Sequence, residues 1–183
     1  MQRYNITLFI LKSIKMNKIN SQNIILDCFD VENKIKRISL EVIEDNIDQE
    51  KLIFFGVSKN GKIIAKKIID FISQNSKIES KLVGVDLNLK SNKSLTFDKE
   101  FKIDNLSLVI VSDVSQSAKT LQLIISNLML KNPFKIKTAV IVNRDHSLFP
   151  VKINFSGLNL STSVNERVDV EVNKYGEFTV YLN

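Results

Sequence analysis

Three polar segments each follow a short apolar run, and they hold the side chains best suited to chemistry. They are Ser58-Lys59-Asn60-Gly61, Ser112 to Thr120, and Asn143-Arg144-Asp145-His146. The middle segment is the most informative. Ser115, Ser117 and Thr120 surround what reads as a helix start, where free N–H groups and the positive end of the helix dipole suit a phosphate. Gln116, Ala118 and Lys119 complete that turn, and Asp113 just before it can accept hydrogen bonds from sugar hydroxyls. The plainer reading is a capped turn, since Ser, Thr and Asp are preferred helix caps in any case.

Other chemistries have less to work with. There is no G-x-G-x-x-G and no G-x-x-x-x-G-K-[ST], so dinucleotide and P-loop readings lose their warrant. A Ser-His-Asp triad would have to use His146, the only histidine, and no G-x-S-x-G elbow serves it. A lone loop histidine is more simply a hydrogen-bonded brace. Cys28 is the only cysteine, which excludes Cys-based zinc sites, and a single histidine argues against His-based ones. No metal site built from the protein's own side chains is expected. One cysteine forms no intrachain disulfide and fits a reducing cytoplasm.

The elements that must position these segments follow from hydrophobic spacing. After Asp27 or Asp30, either a fair N-cap, Val31, Ile35, Ile38 and Val42 recur at helical intervals. KLIFFGV (51–57) is a short apolar run that suits a buried strand, and Gly61 opens a second helical stretch with Ile64, Ile68 and Ile72 on one face. Val83, Val85, Leu87 and Leu89 alternate as in a strand with one face covered. SLVIV (107–111), polar SDVSQSAKT, the helical set Leu121, Ile124, Ile125 and Leu128, then TAVIV (138–142) make a βαβ unit. RVDVEV (167–172) and EFTVYL (177–182) alternate about Gly176 and predict a terminal hairpin. The expected fold class is α/β: a parallel sheet with helices on both faces and a small β-rich C-terminal part.

A chain of 183 residues, 44% hydrophobic and with no repeat or Pro/Gly/Ser-rich linker, is one globular domain. Residues 1–22 read as an N-terminal extension and 23–183 as the single domain. Met16-Asn17-Lys18 offers a second start, and residues 1–15 are given no function. No apolar run approaches the ~18 residues of a membrane span, and Ile6 to Leu11 is too short for a secretory core. The net charge of +6 invites a nucleic-acid reading, but 22 of the basic residues are lysines and only four are arginines. Arginine forks are what phosphate and base recognition favours, so a lysine-coated surface is the simpler account.

At this point the segments become recognisable. LVIVSDVSQSAKT resembles the phosphoribosyl-pyrophosphate (PRPP) motif of type I phosphoribosyltransferases, which runs apolar strand, two acidic residues, then Thr-Gly-x-Thr. VIVNRDHSLFPVKINFSGLNLSTSVNERVDVEV resembles the carboxyl third of the pyrimidine operon attenuator/uracil phosphoribosyltransferase family. Arg144, His146, Pro150, Gly157, Asn159, Thr162, Ser163 and Glu166 match it in one frame. The helix from Leu26-Asp27 through Arg37 and the segment FGVSKNGKIIA fit the same family, so the resemblance covers about residues 24–172.

That resemblance implies a phosphoribosyltransferase-type (Rossmann-like) domain in the cytoplasm, assembled as a homo-oligomer. It implies PRPP or a nucleoside 5′-monophosphate as ligand, a uracil-type base and Mg²⁺. Asp113 would be the catalytic acid. Phosphate and ribose would lie on Asp113, Ser115, Gln116, Ser117, Ala118, Lys119 and Thr120, pyrophosphate on Lys59, Asn60 and Gly61, and the base beside Asn143 and Arg144.

The departures from the family pattern are specific. Its first acidic residue is Ser112 here, its Thr is Ser117, its Gly is Ala118, its Arg-Gly is Asn60-Gly61, and an Arg of its mobile loop falls at or near Ser91. One anionic and two cationic positions have become neutral, and Lys59, Lys62 and Lys90 stand nearby as point charges without a fork. Transferase activity is expected to be weakened or lost. The alternative is a non-catalytic regulator that senses nucleotide and binds RNA or a protein partner. On the family's RNA-binding surfaces Arg37 is kept, but Lys36, Leu40, Ser147 and Leu158 replace most of the polar reading groups. Weak, salt-sensitive RNA contact is therefore expected rather than specific recognition.

Overall fold

A computed structural model describes residues 23–88, 94–145, 147–161 and 166–183. The expected strand over Leu89, and the positions Lys90, Ser91, His146, Thr162 and Ser163, lie outside the described residues.

The chain opens with strand β1 (Asn23–Leu26) and helix α1 (Cys28–Asp45). Both candidate caps of α1 are used together. Asp27 is the N-cap and its carboxylate accepts the Asp30 N–H, while the Asp30 carboxylate accepts the Asp27 N–H in return. The helical spacing is also met, with Val31, Ile35, Ile38 and Val42 all buried. At the far end, the Asp45 carboxylate receives Lys135 Nζ at 2.8 Å and Lys137 Nζ at 3.2 Å. Burial alone would raise the Asp45 pKa; hydrogen bonds and charge from the two lysines outweigh that and hold it below its ordinary value.

Next come β2 (Lys51–Val57), α2 (Ser58–Asn75), β3 (Glu79–Asn88), β4 (Ser94–Phe97) and β5 (Ser107–Ser115). They are followed by α3 (Lys119–Met129), β6 (Lys135–Arg144), β7 (Phe155–Leu160), β8 (Val168–Val172) and β9 (Phe178–Leu182). Six strands form one sheet in the order β4-β3-β2-β5-β6-β7, all parallel except β4. Helices α1 and α2 cover one face through Ile35, Ile38, Ile64, Ile68 and Ile72; α3 covers the other through Leu121, Ile124 and Leu128. The fold is α/β as expected.

The predicted hairpin is β8–β9, turning at Gly176 with φ +79°, a conformation that glycine adopts without strain. Its sheet is not purely C-terminal, however. Strand β1 pairs with β9, giving the order β1-β9-β8, so the start of the domain closes its end. Strands β4 and β7 were not expected. The second helix begins at Ser58 rather than at Gly61, and β5 runs on to Ser115 instead of ending at Val111.

Candidate functional site

The strand order reverses between β2 and β5: the chain leaves β2 toward β3 on one side and reaches β5 on the other. In open α/β sheets that switch point, beyond the carboxyl ends of the strands, is where ligands bind. A cavity of about 460 Å³ lies there, lined by Val57 and Ser58 after β2, Asp86 and Leu87 of β3, and the continuous run Ser112 to Leu121.

The floor of this cavity exists because β5 outruns its neighbour. Pairing of β5 with β2 ends at Val111, whereas pairing with β6 continues through Val114 and Ser115, opposite Val142 and Asn143. Ser112 to Ser115 therefore belong to the strand, and the loop shrinks to Gln116, Ser117 and Ala118. Lys119 and Thr120 are the first residues of α3. The first helical hydrogen bond runs from the Gln122 N–H to the Ala118 carbonyl, so the N–H groups of Lys119 to Leu121 precede the ladder. Among the described residues, only a long contact from Lys119 N to Ser117 Oγ, 3.4 Å, reaches toward this end. The Ser117 carbonyl is braced by the N–H groups of Leu148 and Phe149 at 3.2 and 3.3 Å. Ser115 is 2% exposed, and its hydroxyl is buried without a hydrogen-bond partner among the described residues. A buried hydroxyl left unmatched costs about 1–3 kcal/mol, so such groups call for an occupant.

Two left-handed residues bracket the cavity, Ser58 at φ +57° and Ala118 at φ +59°. Among the described residues, the other non-glycine positions with left-handed backbone are Asn105 and Asn132. Asn tolerates the left-handed conformation; Ser and Ala pay ~1–2 kcal/mol for it. Strain of this kind gathers where a ligand must be clamped.

Opposite the cradle, Asp113 is bound internally. Asn60 Nδ2 donates to Asp113 Oδ2 at 2.8 Å and to the Val170 carbonyl of β8 at 3.1 Å. The Val114 N–H and the Ser112 hydroxyl donate to Asp113 Oδ1 at 2.8 and 3.3 Å. A second cavity, of about 440 Å³, lies beyond Asp113 and Gln116 against Arg167 to Glu171.

Lys59, Asn60 and Gly61 stand in the first turn of α2 rather than in a loop. Gly61 answers a packing need there, because a Cβ would lie 2.5 Å from the Val111 carbonyl oxygen. Backbone cannot give way to that contact, so Gly61→Ala is expected to cost about 2–3 kcal/mol in urea unfolding. An unchanged midpoint would show that this turn is not seated on β5. Lys62 is ion-paired with Asp86 at 2.7 Å. Asn143 donates to Asn159 Oδ1 at 3.1 Å, and Arg144 is 5% exposed at the end of β6. Neither lines the cavity at the switch point. Arg37 binds the Ser156 and Gly157 carbonyls of β7 at 2.6 and 3.1 Å and pairs with Glu41, which gives it a packing role.

The Mg²⁺ that the resemblance implies finds little to hold it. Magnesium uses one or two carboxylates together with ligand phosphates. Asp113 has both oxygens engaged, Asp86 is paired with Lys62, and no three Asp, Glu, His or Cys side chains gather among the described residues. These donors do not fit a resident cation.

Ser58 was read only as part of a polar segment and was given no role, and Asp86 and Leu87 were not singled out as lining residues. Asp86 stands inside the alternating run of β3, on the face opposite Val85 and Leu87, and nothing local marked Ser58 as left-handed.

Among the described residues no helix is long and apolar enough to cross a membrane. A family model for the phosphoribosyl transferase domain matches residues 21–174. The bifunctional protein PyrR of Limosilactobacillus reuteri is 28% identical over 163 residues, covering 82% of this chain and 92% of that protein. PyrR of Streptococcus uberis is 30% identical over 154 residues, covering 81% and 88%. Among solved structures, a hypoxanthine-guanine phosphoribosyltransferase from Bacillus anthracis superposes with a TM-score of 0.73 at 14% identity, over 90% of this chain and all of that one. The hypoxanthine phosphoribosyltransferase of Trypanosoma cruzi gives 0.70 at 16% identity, over 87% and 95%. The chain thus belongs to the phosphoribosyl transferase domain family, with the bifunctional PyrR proteins among its relatives.

Proposed function

We propose that this protein binds a nucleoside 5′-monophosphate, pyrimidine (uracil)-type, or PRPP at the carboxyl ends of β2 and β5, with transferase activity weakened or lost. The observation that carries the reading is the buried, unmatched Ser115 hydroxyl beside the uncapped α3 N-terminus. Together they offer a phosphate one O–H donor, several N–H donors and a favourable dipole. The cavity volume suits a ligand of nucleotide size.

Weak turnover follows from charge. Displacing pyrophosphate from a sugar carbon builds negative charge on the leaving group, which needs cations held in place. The first turn of α2 presents the neutral amide of Asn60, already committed to Asp113 and Val170. That commitment favours the second reading, a non-catalytic nucleotide-sensing regulator with an RNA or protein partner. Contact with RNA would be weak and salt-sensitive. The exposed apolar side chains Phe29 and Leu40 on α1 support a homo-oligomer; a cytoplasmic setting belongs to the same proposal. Residues 23–183 act as one domain in this reading.

Calorimetric titration of the full chain with UMP, with and without Mg²⁺, tests the proposal beside an assay of pyrophosphate release from PRPP and uracil. Measurable UMP binding with release far below an ordinary ~10 s⁻¹ is expected. Absence of UMP binding in the folded protein would refute the phosphate site; release near that ordinary rate would refute the loss of activity.

A further inference from the structure

The amino ends of the strands carry a cavity of their own. Lys51 opens β2, Glu79 opens β3 and Leu106 immediately precedes β5, about 20 Å along β2 from the switch point. Two helices cover one face of the sheet, but the other has α3 alone. Over β2 and β3 that face is covered instead by the irregular segment 98–106. A cavity of about 430 Å³ remains beneath the segment, and its inner wall is apolar, made by Ile53, Val83, Phe101 and Leu106. Phe101 is held from several sides. Its ring centre lies 5.1 Å from that of Phe55 and 4.8 Å from that of Phe97, both edge to face, and Lys131 Nζ stands 4.6 Å over it. The wall is therefore formed before any ligand arrives, which lowers the cost of binding one.

The rim is cationic. Lys51, Lys81, Lys99 and Lys102 line it against Glu79 and Glu100, all exposed. Register produces the change from rim to wall: Lys51 lies beside Glu79 and Ile53 beside Lys81, so the first row of this face is charged and the next turns apolar. Lys81 pairs with Glu79 at 3.5 Å, whereas Lys51, Lys99 and Lys102 form no ion pair among the described residues. Lys99 Nζ has only a long contact to the Leu82 carbonyl, 3.4 Å. A lone surface lysine is solvated and needs no partner. Three unpaired ammonium groups around a preformed apolar cavity are complementary to one kind of molecule, an anionic head on an apolar body. We propose that this cavity binds a small carboxylate with an apolar chain or ring, its head among the unpaired lysines and its body on the inner wall. The volume suits a small molecule. The site is separate from the nucleotide cavity and does not depend on it.

The test is calorimetry of the full chain with octanoate and with 1-naphthoate, each beside its neutral counterpart, octanol or 1-naphthol. At least one carboxylate should bind roughly tenfold more tightly than its counterpart, the measure of a charge-assisted contact. The double variant Lys51→Gln/Lys102→Gln changes exposed positions only and should keep the fold. It should lose roughly tenfold for the carboxylate and nothing for the neutral compound. Amide chemical shifts should move in 51–53, 81–83 and 99–106, and UMP should not displace the probe. The site is overturned if neither carboxylate binds, if acid and neutral compound bind alike, or if the double variant binds as the native chain does. Shifts confined to other segments, or displacement by UMP, overturn it too. An affinity that falls as protein concentration rises would mean that a second copy covers the cavity, and overturns the small-molecule site as well. Failure of UMP to bind bears on the nucleotide reading alone, so the two readings fail separately.

Discussion

The variant combining Asn60→Arg, Ser112→Asp and Ala118→Gly is expected to release pyrophosphate from PRPP and uracil at least a hundredfold faster than the native chain. Each change acts on a different deficit. Asn60→Arg removes the amide that occupies Asp113 and places a guanidinium in the N-terminal turn of α2, two residues after the cavity-lining Ser58. Ser112→Asp returns a second carboxylate beside Asp113 for the sugar, whose positive charge grows as the bond breaks. A hydrogen bond to a charged group contributes ~1.5–3 kcal/mol, so two that strengthen in the transition state give two to four powers of ten. Ala118→Gly relieves the left-handed φ of +59° and lets the cradle settle on its ligand. A steady-state assay of the single variants beside the combined one apportions the gain. A combined variant that folds, binds UMP and still shows native release would place the catalytic deficit elsewhere than in these three positions.

Local signals carried much of the fold. The Asp27 and Asp30 capping box, the buried face of α1 and the β8–β9 turn at Gly176 each depend on residues a few positions apart. What could not be read is where distant segments meet. Strand β1 is four residues long, and nothing in NIIL names β9 as its partner. Gly61 was read as the residue that opens the second helical stretch, yet the helix already begins at Ser58 and Gly61 sits inside it for close approach to Val111. The site shows the same division. Ser115 was legible as a candidate phosphate ligand by residue type, but its burial depends on β5 outrunning β2, a property of register. Asn60 was legible as a departure from the family pattern. Its tie to Val170, 110 positions away, was not. That tie turns a missing cation into an occupied carboxylate.

Thr120→Glu should move stability and ligand binding in opposite directions. Thr120 is half-buried in the first turn of α3, lines the cavity, and belongs to the stretch whose N–H groups precede the helical ladder. A carboxylate there meets the positive end of the helix dipole and should stabilise the folded chain by ~0.3–1 kcal/mol. The same charge would stand within about 4 Å of a phosphate held on those N–H groups. At the effective dielectric of a protein surface, two like charges at that distance repel by ~4 kcal/mol. Solvent exposure and salt reduce this, leaving roughly a hundredfold loss of UMP affinity. Thermal unfolding without ligand and calorimetry with UMP read the two effects separately. A helix that melts higher while UMP binding collapses locates the phosphate at the α3 N-terminus, because damage to the fold would lower both. UMP binding unchanged by Thr120→Glu would move the phosphate away from this turn and remove the role assigned to Ser115.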